Sequence, residues 1–406
     1  MKWRSLRIVV PIVLVAIVFG IYFVPQAVAF LYETVLFLSP LWLPVLLAYL
    51  AWPAWLTFAR SQFVASIPYT TIELKPGVET PRSARPMELI FYSLYHRVDI
   101  TKKEYLLGHL RSWWSFEVYA HAGKIRFFAH MPTNHVAAVE GRIRSEYRDI
   151  EIEEVRDYSR EIPFNASNMR VHAREYTLAK PDPYPIKTYE EYESTGTSRD
   201  VMHEMLEGLA KVGKDEHVLV SYIIRPHQRE RTSYFEDPHD SLHKDAYRVI
   251  GDIVGSTGDV HALPPQKQAV VRAIEDALKK PSFDCGIRAL YVASPEAYTE
   301  ESARKLDNLL EDFNDSELNS FTAYDPIERE HFLKKESFLL SPHLKAEHLV
   351  RLYRRRAFFA PPYVGEAFVL NTEELATVFH MPHAGRGTVL AHRAHVELEP
   401  PENLPV

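Results

Sequence analysis

Ser115-Phe116-Glu117-Val118-Tyr119-Ala120, then His121-Ala122-Gly123, then Lys124-Ile125-Arg126-Phe127-Phe128-Ala129-His130-Met131, is the stretch on which the fold turns. Aromatic and β-branched residues fill both flanks, and a glycine sits in the short connection, so the pattern predicts a β-hairpin. Upstream, Tyr69–Leu74 reads as a strand ended by Pro76-Gly77, and Pro86–Tyr95 carries Met87, Ile90, Phe91 and Leu94 at helical spacing. Downstream, Thr133 can cap a helix through Tyr147 with the stripe Val136, Val139, Ile143 and Tyr147, and Ile150–Val155 reads as an edge-type strand. The order is β-α-β-β-α-β, the split βαβ of ferredoxin-like folds.

That order recurs. Met169–Leu178 reads as a strand, Arg199–Val212 as a helix with Met202, Met205, Leu206 and Leu209 on one side, and His217–Arg225 as a strong strand. An insertion over about 228–280 holds two helices. Asp284–Ala293, the helix Thr299–Phe313 and the strand Glu317–Ala323 complete the set. The fold class expected is α+β: N-terminal transmembrane helices over 1–60, a ferredoxin-like unit over 61–160, and a second, interrupted by the insertion, over 161–325. A helical tail and linker over 326–406 follows. One irregular α+β domain is the competing arrangement. In the tail, Ser341-Pro342 opens the helix His343–Arg356, and Asn371-Thr372-Glu373-Glu374 resembles a capping box opening Leu375–His380.

The N-terminal end is apolar. Ile8–Tyr32 and Thr34–Ala59 are uncharged runs of 25 and 26 residues, separated by Glu33. About 20 apolar residues cross a bilayer core, so each is long enough. A cleaved signal peptide has a shorter apolar stretch and would not be followed at once by a second. Pro40 and Pro44 can split the second run, which leaves two spans, or one span plus an interfacial segment. Lys2, Arg4 and Arg7 precede the first run and Arg60 closes the second, which by the positive-inside rule puts both ends in the cytoplasm at the inner membrane.

The 406 residues hold 47 Lys and Arg against 54 Asp and Glu, a net charge of −7. Residues 1–60 carry +3, so the remainder carries −10. An acidic body argues against strong independent nucleic-acid binding. The single cysteine, Cys285, excludes a disulfide framework and a cysteine zinc ribbon.

Motifs that carry chemistry are sparse. No GxxxxGK[ST], HExxH, GxSxG or GxGxxG occurs, which excludes a P-loop ATPase within this chain. Glu236, Asp237, His239, Asp240 and His243 have metal-ligand character, although Asp240 serves equally as a helix cap. His380, His383, His392 and His395 form a loose His-rich stretch better explained as a surface tail. Glu151 and Glu153 share a strand face, which reads as solvated rather than catalytic. Arg351, Arg354, Arg355 and Arg356 make one basic cluster that fits a phosphate backbone, a lipid headgroup or, preferably, an acidic partner surface.

Four phrases together resemble a known family. They are Ile72-Glu73-Leu74-Lys75 with Pro86-Met87-Glu88-Leu89, and Trp113-Trp114-Ser115-Phe116-Glu117 through Lys124-Ile125-Arg126-Phe127. The others are Val139-Glu140 to Tyr147 with Ile150 to Tyr158, and Leu370-Asn371-Thr372-Glu373-Glu374 through Phe379-His380-Met381-Pro382. The chain is similar to the uncharacterised membrane-anchored region that precedes the ATPase in type IV secretion (conjugation-like) coupling proteins of small-genome candidate-phyla bacteria. The resemblance runs from the membrane segment to Pro405. This sequence stops about where the motor would begin, so no nucleotide-binding or catalytic residue carries over. It implies a non-enzymatic, homo-oligomeric membrane scaffold without cofactor, working with a P-loop ATPase on a separate chain. Arg351, Arg354, Arg355, Arg356, Glu374 and His380 are the expected partner-docking residues. The alternatives are a membrane-tethered metal-dependent hydrolase and a ligand-sensing membrane protein.

Overall fold

The structure is a computed structural model that describes residues 17, 25–77, 80, 83–96, 100–162, 164, 168–194, 200–228, 242–255, 258–329, 342–360 and 363–382. It divides into two units, Met1–Ala59 and Arg60–Val406.

In the first, Pro25 opens helix α1 (Pro25–Phe37), a turn falls at Leu38, and helix α2 (Ser39–Ser66) begins, its last residues belonging to the second unit. Pro40 sits in the first turn of α2, where its missing N–H costs nothing. Pro44 and Pro53 lie inside the helix, and Thr57 Oγ1 donates to the Pro53 carbonyl at 2.8 Å. Pro40 and Pro44 therefore do not split the second run within α2; the helix break falls earlier, at Leu38. At 28 residues α2 spans about 42 Å, enough for a bilayer core of about 30 Å. Most of its large apolar side chains are exposed, Leu41 at 72% and Tyr49 at 75%, although Leu56 is buried. Among the described residues it is the one helix long and apolar enough to cross a membrane. Helix α1, at 13 residues, is too short, and most of the run Ile8–Tyr32 lies outside the described residues.

In the second unit, β1 (Tyr69–Lys75), α3 (Arg85–Leu94), the short α4 (Lys102–Leu106), β2 (Trp114–His121), β3 (Lys124–Pro132), α5 (Val136–Glu146) and β4 (Glu151–Val155) come first. The hairpin turn is tighter than expected. His121 pairs with Lys124, so the loop is Ala122-Gly123 alone, with φ of 49° and 69°, as a type I′ turn requires. Next come β5 (Arg170–Leu178), α6 (Tyr189–Ser194), α7 (Val201–Leu209), β6 (Glu216–Pro226), α8 (Leu242–Val254), α9 (Pro265–Ala277), β7 (Ser282–Ala293), α10 (Glu300–Arg304) and β8 (Phe321–Tyr324). Helices α8 and α9 occupy the insertion. Helix α10 is only five residues long, and beyond it Leu306 and Leu310 are buried from turns and Phe313 from a short 3-10 helix, rather than from the long helix expected.

Among the described residues, nine strands form one antiparallel sheet in the order β4-β1-β3-β2-β6-β7-β5-β8, with a further strand on β7. The first four strands thus stand 4-1-3-2, and the second four repeat that order in mirror sequence. The two quartets share one continuous sheet because β2 and β6 pair from Trp114↔Ile224 to His121↔His217. The Ala122-Gly123 turn is held across that seam by the carbonyls of Gly213 and Val212, at 3.0 and 2.8 Å.

One sheet face carries Ile72, Phe116, Val118, Phe127, Val220, Tyr222 and Ile287. It is sealed by α3, whose Met87, Ile90, Phe91 and Leu94 are all buried, by α5 through Val139 and Ile143, and by α7.

The expectation of a helical tail from 326 is corrected. The described residues between 326 and 382 form α11 (Pro326–Arg329), α12 (Pro342–Arg354), β9 (Phe359–Ala360), β10 (Tyr363–Val364), β11 (Phe368–Asn371) and α13 (Thr372–Val378). Strand β11 is the further strand, pairing Phe368 with Cys285 and Asn371 with Ser282. Leu370, Leu375, Val378 and Phe379 belong to the main core. So apolar a segment, placed beside a bare edge of β7, buries more surface in the sheet than it could as a tail.

Candidate partner-docking site

The other face of the sheet is where the arginine cluster lands. Glu73, Phe128, Glu117, Ser221, Arg288, Glu175 and Tyr324 stand directly opposite one another on seven successive strands. Residues so paired share a face. A row of polar residues, interrupted by Phe128, therefore crosses the sheet, and its middle is covered by α12 and the segment through β10.

Arg356 makes the first contact. It follows α12 at the position where the chain must turn left-handed: its φ is 46°. Its N–H donates to the Tyr353 carbonyl at 2.8 Å, and Ala357 N–H donates to Leu352 at 3.1 Å. This is the Schellman closure of a helix, which favours glycine at that residue. Arginine is present instead because its head group is used. Nε and Nη2 donate to the two Glu117 oxygens at 2.8 and 2.9 Å, and Nη1 and Nη2 donate to Asp157 at 2.6 and 3.0 Å. Nη1 also donates to the Arg354 carbonyl at 2.9 Å. Ser115 Oγ donates to Glu117 at 2.6 Å. Burial pushes the Glu117 carboxyl up, but Arg356 overrides it and holds it below the usual range. Asp157 is likewise held at about 2 against its burial, chiefly by Arg356.

Arg288 makes the second. Its Nε donates to Glu175 at 2.7 Å and its Nη2 to the Ala357 carbonyl at 2.9 Å. Tyr324 donates to the same carboxylate at 2.8 Å, and Tyr363 donates to it as well. Nη1 of Arg288 has no hydrogen-bond partner; the guanidinium lies 5.1 Å from the Tyr363 ring centre and 5.8 Å from that of Phe358, cation–π contacts that offset part of the loss. Phe358 is clamped between Gly286 and Gly365, where an added Cβ would sit 2.3 and 2.5 Å from its ring.

Of the expected docking residues, four are turned inward. Arg356 is 1% exposed. Arg354 donates to the carbonyls of Ser159 and Ile162 at 3.0 and 3.1 Å. Glu374 closes the capping box of α13 and accepts from Ile186 N–H at 2.8 Å; burial pushes its carboxyl up to about 8. His380 lies between Asp200, 3.2 Å from its Nε2, and the Ala376 carbonyl, 2.9 Å from its Nδ1. Within the basic cluster Arg356 thus docks on carboxylates, and Arg354 on backbone carbonyls, of its own chain. Arg351 and Arg355 are exposed, and Arg351 pairs with Glu347 at 3.1 Å.

The residues the sequence reading passed over are Asp157, Glu175 and Arg288, together with the role of Glu117. A signal existed: Arg288 is the lone cation in Phe283–Ala293, a strand buried on both faces, and a charge there demands a partner. Of the metal-like segment, Glu236, Asp237, His239 and Asp240 lie outside the described residues, as do His383, His392 and His395. Among the described residues no group of three or more His, Cys, Asp or Glu is placed to hold a metal ion.

No curated protein matches the chain. Among solved structures it is similar to the xylooligosaccharide oxidase from Myceliophthora thermophila C1 in complex with xylobiose, at 11% identity and a TM-score of 0.28. That likeness takes in 74% of this chain and 56% of the oxidase, and at so low a score it carries no argument. A family model described as a domain of unknown function, DUF8128, matches residues 68–390. That interval takes in the whole antiparallel sheet and the segment that covers it, and the chain belongs to the DUF8128 family.

Proposed function

We propose that the protein is a non-catalytic, membrane-anchored scaffold of a type IV secretion-like translocation apparatus, and that its α+β body recruits an ATPase carried on a separate chain. The observation that carries this reading is the exposed apolar surface of α2, within the same chain as a folded body that buries ion pairs such as Arg356–Glu117 and Arg288–Glu175. In this reading the bilayer is one partner, the body lies on the cytoplasmic side of the inner membrane, and copies of the chain associate. Each quartet, with its 4-1-3-2 order, is a ferredoxin-like unit. Arg351 and Arg355 are the docking cations, because Arg354 and Arg356 already serve the fold.

Copurification tests this. Tagged full-length protein, extracted from membranes in mild detergent, should bring down a P-loop ATPase, and an Arg351→Glu, Arg355→Glu variant should lose it while remaining folded. A pull-down of folded protein that contains no such motor rejects the proposal.

A further inference from the structure

Between the C-terminal end of α3 and the adjoining side of α5 lies a groove of about 580 Å³, within the size range of small-molecule sites. Leu94 and Val139 give it an apolar floor, and both are buried. Trp114, at the first position of β2, lines it as well, with its ring 5.5 Å from that of His135. Trp114 is only 3% exposed, and its indole N–H has no acceptor. Arg142 on α5 also lines the groove. Its Nη2 is paired with Glu146 at 3.0 Å, but its Nε is buried without a partner.

That two residues of one lining each carry an orphaned donor is a specific observation, because buried N–H groups are nearly always satisfied. The remaining polar groups of the lining include His96, His135 and Asn134, and among the described residues no Asp or Glu lines the groove. The arrangement offers hydrogen-bond donors above an apolar floor. It is independent of the arginine clasp on the other face of the sheet, and it makes no use of the docking residues.

We propose that this groove binds a small organic anion. Its oxyanion group accepts from Trp114 Nε1 and Arg142 Nε, and its apolar part rests on Leu94 and Val139. Such a ligand satisfies both donors at once and places negative charge beside two imidazoles. His135 is held below its ordinary pKa by burial and by the neighbouring His96, so an anion between them favours its protonation.

Calorimetric titration of the full-length protein in detergent tests the proposal with three probes: phenyl phosphate, inorganic phosphate and benzyl alcohol. Phenyl phosphate should bind at least about tenfold more tightly than either of the others, since each lacks one half of the recognition. Arg142→Gln, a change at a partly exposed side chain, should weaken phenyl phosphate about tenfold, the usual loss for one charge-assisted hydrogen bond. Trp114→Phe, which keeps an aromatic ring but removes the N–H, should do the same. Equal binding of inorganic phosphate overturns the organic part of the proposal. Equal binding of benzyl alcohol overturns the anionic part. Absence of phenyl phosphate binding, or unchanged binding in folded Arg142→Gln, overturns the site.

Discussion

Arg356 and Glu117 stand 239 positions apart in the chain and are joined by two parallel hydrogen bonds of 2.8 and 2.9 Å. Neither side chain is more than 1% exposed. The pair fastens α12 to the middle of the sheet, and it does so from a backbone conformation that an arginine adopts only at a cost of about 1–2 kcal/mol.

Arg356→Met should destabilise the protein by about 3–5 kcal/mol, because Glu117 and Asp157 are then left buried without their cation. Arg356→Gly should also destabilise it, since relief of the left-handed strain is smaller than the loss of the clasp. Combining Arg356→Met with Glu117→Gln should recover part of the loss. Urea unfolding of the detergent-solubilised chain measures all three.

Gly286→Ala should cost about 1–3 kcal/mol, because the new methyl meets the Phe358 ring at 2.3 Å. Phe358→Leu in the same chain should relieve the clash, so the double variant should lose less than the two single changes predict together. Additive losses in a double-mutant cycle would show that the contact does not govern packing there.

Acid should weaken the fold through His130. Burial and the nearby Arg356 lower its pKa to about 4, so between about pH 6.5 and 4 the unfolded chain takes a proton that the folded chain refuses. Stability must fall as the pH drops through that window, by about 1.4 kcal/mol per pH unit for each such proton. His217, also held at about 4 by burial and by His121, adds a second. His130→Gln should remove one proton from the slope of stability against pH, and an unchanged slope would count against a neutral His130.

Leu50→Arg near the middle of α2 should move protein from the membrane pellet toward the soluble fraction. An arginine at the centre of a membrane helix costs about 2.5–3.5 kcal/mol on insertion scales. Unaltered pelleting after alkaline carbonate washing would argue that α2 is not the anchor.

Much of the local structure was legible. Met87, Ile90, Phe91 and Leu94 repeat at helical spacing, and the structure buries those four from α3. The β2–β3 hairpin was legible from its flanking strands and the glycine in its turn, although His121 belongs to the ladder and the turn is Ala122-Gly123 alone. The capping box at Asn371 and Glu374 forms as written. What misled was reading the basic helix and the segment after it as a tail. Arg354 and Arg356 look solvated in sequence because nothing within several residues of them is acidic. Their acceptors are Ser159, Ile162, Glu117 and Asp157, which only the folded chain brings near.

By itself the sequence determined the elements whose causes lie within a few residues: the apolar run of α2, the amphipathic stripe of α3 and the tight hairpin of β2 and β3. Backbone propensity, side-chain periodicity and turn chemistry act over that range. Only the tertiary structure decided that β2 and β6 merge two quartets into one sheet, that β11 completes β7, and that Arg354 and Arg356 turn inward while Arg351 and Arg355 stay exposed. The physical reason is that a strand edge or a buried carboxylate sets a demand without naming its partner. The partner is chosen by which distant segment can bury its apolar side chains and satisfy that charge in the same place.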